Sequence, residues 1–171
     1  MTNIKSFLLF VDTINEWMGR VVGFVIIAIS VITVLEVMLR YIFNRPTLWA
    51  WDVNLMLMGA FTILPGGYLL LKEGHVIVDI YVARLSPRRR AMLDLATSVL
   101  FFISVGFLLW QSIIAAFDSL NKREIINSVW GPPLYPLKML WPVGPLLLLL
   151  QGMAKFIRDL AVACSKEVNS R

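Results

Sequence analysis

Residues Tyr68–Asp94 read YLLLKEGHVIVDIYVARLSPRRRAMLD, and the way this stretch divides the chain decides the fold. It is the main polar interruption between two long apolar halves. It holds the only histidine, His75, and the densest basic cluster, Arg88, Arg89 and Arg90. The halves on either side contain apolar runs of the length, about 20 residues, that a helix needs to cross roughly 30 Å of hydrocarbon. The chain of 171 residues is 58% hydrophobic with a mean hydropathy of +0.76. A soluble domain of this size has too little interior to hide so much apolar surface. The expected fold is therefore an all-α integral membrane protein, a single membrane domain over 1–171 with four transmembrane helices. The spans are expected at about 21–39, 53–71, 95–117 and 134–157.

The charge pattern supports this and gives an orientation. A net charge of +5 could suit nucleic acid, but the basic residues lie between apolar runs. Eleven of the sixteen Lys and Arg fall on one side: Lys5, Arg20, Lys72, Arg84, Arg88, Arg89, Arg90, Lys155, Arg158, Lys166 and Arg171. The other side has Arg40, Arg45, Lys122, Arg123 and Lys138. Cytoplasmic loops carry the excess of Lys and Arg, so both termini and the central loop are expected to be cytoplasmic. Cys164 is the sole cysteine, which excludes an intrachain disulfide or a multi-cysteine metal site, and one histidine cannot form a bis-histidine haem. No compact apolar core followed by a small-residue cleavage site marks a signal peptide near Met1.

Working outward from the central loop, Phe7, Phe10, Val11, Ile14, Trp17, Met18 and Val21 recur at helical spacing, with Asp12, Glu16 and Arg20 on another face. This predicts an amphipathic helix over 6–20 lying at the cytoplasmic interface, or else a solvated extension of the first span. Glu36 and Arg40, one turn apart near the end of the first span, could pair with each other or contact another membrane subunit. In the short far-side loop, Asn44–Thr47 has turn chemistry around Pro46, and Trp49 and Trp51 suit interface anchors. Pro65 is expected to kink the second span. Without a clearly matching break elsewhere, packing against a partner is favoured over a substrate site there.

The apolar part of the central loop, Val76 to Leu85, predicts a short interfacial segment. Ser86 and Pro87 read as the cap and first residue of the third helix. Arg88, Arg89 and Arg90 suit lipid phosphates, worth about 1 kcal/mol each. Lys138 lies shallow enough in the fourth span to snorkel outward.

No GxSxG, P-loop, GxGxxG, HExxH or CxxC pattern occurs, and no carboxylate pair has the spacing of an acid–base dyad. His75 and Asp79 are four apart. They could pass protons, or simply tie a loop to a helix end. The chain thus reads as a small four-helix subunit, not an enzyme, that packs against something larger.

Leu39-Arg-Tyr-Ile-Phe-Asn-Arg-Pro46, a Trp-containing segment ending in Asp52, Lys72-Glu-Gly-His-Val-Ile-Val-Asp79 and Leu85-Ser-Pro-Arg-Arg89 follow in order. Together they resemble the small membrane subunit (DctQ-type) of tripartite ATP-independent periplasmic (TRAP) transporters, over nearly the whole chain. Many members carry a Trp-x-Glu-Glu type segment where Trp49-Ala-Trp51-Asp52 stands here, so only Asp52 can inherit a charge. Leu134-Tyr-Pro-Leu-Lys138 and Leu150-Gln-Gly152 resemble a subgroup associated with organic-acid uptake. The resemblance implies a bacterial inner-membrane complex with a large elevator-type membrane subunit and a periplasmic substrate-binding protein. It implies sodium sites in the large subunit, no cofactor in this chain, and a fixed scaffold role for it. Glu36, Arg40, Arg45, Trp49 and Asp52 are then expected to contact those partners, and His75 and Asp79 to hold the cytoplasmic loop. Two alternatives are a haem-free membrane anchor of a quinone-linked redox enzyme and a self-contained channel or exporter.

Overall fold

The structure, a computed structural model, describes residues 2–72 and 87–164. The central-loop expectations, including His75 and Asp79, lie outside the described residues. Helix α1 runs Thr2–Tyr41, α2 Ala50–Ile63, α3 Gly66–Leu71, α4 Pro87–Lys122, α5 Tyr135–Leu140 and α6 Val143–Cys164. Among the described residues, four stretches are long and apolar enough to cross a membrane: Lys5–Tyr41, Ala50–Leu71, Thr97–Lys122 and Tyr135–Ala161.

The expected interfacial segment and first span are one continuous helix of 40 residues. At 1.5 Å per residue it measures roughly 60 Å, about twice the hydrocarbon thickness. Helix α4 begins at Pro87, where a missing N–H costs nothing because the first helical donors are unpaired anyway.

The exterior is apolar almost everywhere. Phe24, Val31, Val34, Leu100, Ile103, Phe107 and Trp110 are all exposed, while the buried apolar positions are mostly small or branched: Val11, Val22, Ala50, Val105, Ala116 and Ala154. Lipid is as apolar as leucine, so close packing rather than exclusion of water must hold such helices together. Helix α6 is the centre of the bundle, packing on α4, α3 and α1, while α1 also packs on α2 and α3, and α5 on α4 and α2. At Gly152 a side chain would overlap the Phe101 ring, so the glycine sets the α4–α6 distance. Phe101, Phe102 and Phe156 then stack edge to face at 5.5 and 5.9 Å.

Two of the spans are broken, and the breaks meet. The second span is interrupted at Leu64–Pro65, where Pro65 has no N–H to donate, and resumes at Gly66. The fourth is interrupted at Trp141–Pro142, where the Trp141 N–H turns back to the Lys138 carbonyl at 3.1 Å. The absence of a match for Pro65 is thereby corrected: the proline of the fourth span supplies one. A Cβ on Gly144, just after the second break, would run into the Ile63 carbonyl just before the first. A Cβ on Gly67 would overlap the Asn15 side chain and come within 3.0 Å of the Leu147 carbonyl. The broken backbones therefore press directly on each other and on α1.

Candidate functional site

Polar side chains gather at two places: near the chain termini (the near end) and around the loops 42–49 and 123–134 (the far end). At the far end, Asn44 adopts a left-handed backbone (φ 52°), a conformation Asn tolerates better than most residues. The chain thereby turns back on α1, and the Arg45 N–H reaches the Leu39 carbonyl at 2.9 Å. Glu36 fastens this turn. One carboxylate oxygen accepts Arg40 Nε at 3.0 Å and Nη2 at 2.5 Å. The other accepts the Thr47 N–H at 3.1 Å and the Thr47 hydroxyl. Of the two open readings for Glu36 and Arg40, the structure shows the intrahelical pair, with Thr47 as a third member that the sequence did not reveal.

Asp52 follows in the first turn of α2 and is 1% exposed. It accepts the Ser128 hydroxyl at 2.6 Å, and the Ser128 oxygen accepts the Gly131 N–H at 3.0 Å. Gly131 is left-handed (φ 61°), and the strand-like pairing of Ile125 with Pro133 closes a small hairpin around it. Lys138 does not snorkel outward. It pairs with Glu124 at 2.5 Å and lies 5.7 Å from the Trp141 ring centre. That ammonium holds the Glu124 carboxyl below the ordinary glutamate range.

The five expected contact residues thus separate. Glu36, Arg40 and Asp52 are engaged within the chain, and Asp52 is buried. Arg45 is exposed, with no side-chain partner among the described residues, and Trp49 is partly exposed. The backbone of Arg88, Arg89 and Arg90 lies in the first turns of α4. Their expected lipid contacts lie outside the described side chains.

At the near end, one chain of hydrogen bonds joins two helices, α1 and α6. Arg158 Nη2 meets Asp12 at 2.5 Å, Gln151 Nε2 donates to Asp12 at 3.0 Å, and Asn15 Nδ2 donates to Gln151 Oε1 at 2.8 Å. Asn15 and Gln151 are each 1% exposed, so the amide donors spent here are removed from lipid and water. Glu16 adds looser pairs to Arg20 at 3.6 Å and Lys72 at 4.0 Å. Asp12 and Glu16 were legible as a polar face, but Asn15 and its partner 136 residues away were not.

No group of three metal-binding side chains occurs among the described residues. The geometry defines a membrane-spanning helical bundle whose polar groups fix loops and helix registers. The family model described as tripartite ATP-independent periplasmic transporters, DctQ component, matches residues 29–162. The chain belongs to that family: it is the small subunit of a TRAP transporter, a transporter component and not an enzyme, and a multi-pass protein of the bacterial inner membrane. A comparison with curated proteins matches none of them.

Proposed function

We propose that this chain is the static scaffold for the large elevator-type subunit, in sodium-driven uptake of an organic acid anion. It also forms part of the docking surface for the periplasmic substrate-binding protein. The observation that carries this reading is the interlock of the two helix breaks. In transporters, broken helices line a cavity and point free backbone groups at substrate or ion. Here the Leu64–Pro65 and Trp141–Pro142 breaks are packed against each other, with Gly144 on the Ile63 carbonyl and Gly67 on Asn15. A bundle so closed supports motion in a partner better than it moves itself.

In this reading the far end faces the periplasm and the near end the cytoplasm, with Arg88, Arg89 and Arg90 at lipid headgroups. Arg45, exposed and uncommitted, meets an acidic patch on the binding protein, with Trp49 beside it. Glu36, Arg40 and Asp52 act one step removed, by shaping the loops that carry this surface. His75 and Asp79 hold the cytoplasmic loop in position. The sodium and substrate sites belong to the large subunit.

The test is reconstitution. Vesicles holding this chain and the large subunit should take up the anion only when binding protein and a sodium gradient are supplied, and vesicles holding this chain alone should take up none. Arg45→Glu should weaken binding-protein capture several-fold while the two membrane subunits still co-purify. Uptake by this chain alone would sink the scaffold reading. A haem-like or redox-active visible spectrum in the purified complex would favour the redox-anchor alternative.

A further inference from the structure

We propose that one face of α4, marked by Ser104, Gln111 and Asp118 and the groove beside them, seats a transmembrane helix of the large membrane subunit. The proposal rests on the family assignment for the partner's class, and on the structure for its place. Ser104, Gln111 and Asp118 are seven residues apart and all exposed. A seven-residue repeat is the spacing that keeps a row of side chains facing one neighbouring helix in left-handed packing.

The chain's own helices do not cover this row. Helix α4 turns Val105, Ala116 and Ser119 to its own bundle, and its neighbours there are α5 and α6. Ser104 and Gln111 make no side-chain hydrogen bond among the described residues. Gln111 lies seven residues inside Asp118, or about 10 Å along the helix axis, too deep for its short side chain to reach the water boundary. An amide with two donors and an acceptor, facing hydrocarbon, needs a partner in the membrane.

The shape beside the row fits a helix. A concavity of about 540 Å³ lies along α4 beside Trp141, at the break in the fourth span, and is lined by Leu108, Gln111, Ser112, Ile114, Ala115, Asp118 and Trp141. Ser112 and Ala115 are small enough to admit a close backbone. The occupant is therefore an apolar helix carrying at least one hydrogen-bonding side chain opposite Gln111. Acyl chains supply no such group at this depth. Asp118 is already neutralised by Lys122 at 2.7 Å, so the match is made by hydrogen bonds rather than by charge.

The experiment uses the full complex in native membranes. A photo-reactive benzoylphenylalanine replaces Gln111 in one variant and Phe24, exposed on α1, in another. Irradiation should join position 111 to the large subunit and leave position 24 without that adduct. Gln111→Leu should lower the yield of co-purified large subunit about threefold, the usual scale of one interhelical hydrogen bond in a membrane. Gln111→Asn should restore part of it.

An adduct at position 111 to lipid only, or to a second copy of this chain, overturns the proposal. So does an adduct at position 24 without one at 111. If the wild-type chain brings down no large membrane subunit at all, the scaffold reading falls with it. The two failures are therefore distinguishable.

Discussion

The near and far ends of the bundle contain similar side chains in opposite roles. At the near end, Asp12, Asn15, Gln151 and Arg158 sit between helices, and their bonds join residues more than a hundred positions apart. At the far end, Glu36 and Asp52 hold loops onto helix ends, at Thr47 and Ser128. A buried amide network costs energy wherever one member is missing, so the near end defines a single helix register. Carboxylate clasps on loops define the shape of a surface instead. The difference separates what keeps the subunit rigid from what lets it be recognised.

This contrast can be broken by substitution. Gly144→Ala should be the most damaging, because its Cβ meets the Ile63 main chain, which cannot rotate away. A loss of about 1–3 kcal/mol is expected, read as earlier unfolding in a detergent titration. Gln151→Leu comes next: it takes one donor from Asp12, which keeps Arg158, and the interhelical acceptor from Asn15, and about 1–2 kcal/mol should be lost in the same titration, with far-end loops unchanged. If Gln151→Leu instead exposed the 124–134 hairpin to protease, the separation of roles would be wrong.

Ser128→Ala should do the reverse. It leaves the Asp52 carboxylate without its hydroxyl donor, so amide exchange across 124–134 should quicken while global stability falls by about 1 kcal/mol. The smallest effect concerns pH. Glu124 is held below its ordinary value of 4.5 by Lys138. Its clasp is therefore fully present above that value and is lost as pH falls through the lowered one. Hairpin exchange should quicken only in that acidic window, and Lys138→Met, which removes the largest cause of the lowering, should weaken the pH dependence.

Much of the architecture was legible in one sequence because it is written in composition and period. Apolar run length located four spans, Pro87 marked a helix start, and the spacing of Glu36 and Arg40 allowed their pair. What the sequence could not reveal were choices of partner across distance. Nothing periodic links Asn15 to Gln151 or Asp52 to Ser128, and a lysine such as Lys138 gives no sign whether it seeks water or a carboxylate. Pro142 was visible, but only folding shows that its break lies against that of Pro65.

That last contact makes two distant prolines a single heritable character. Replacing Pro65 alone would favour a straight second span and push the Ile63 turn into Gly144. Replacing Pro142 alone would force the same collision from the other side. A lineage could lose both kinks more easily than either, so the pair is expected to come and go together, with effects that do not add.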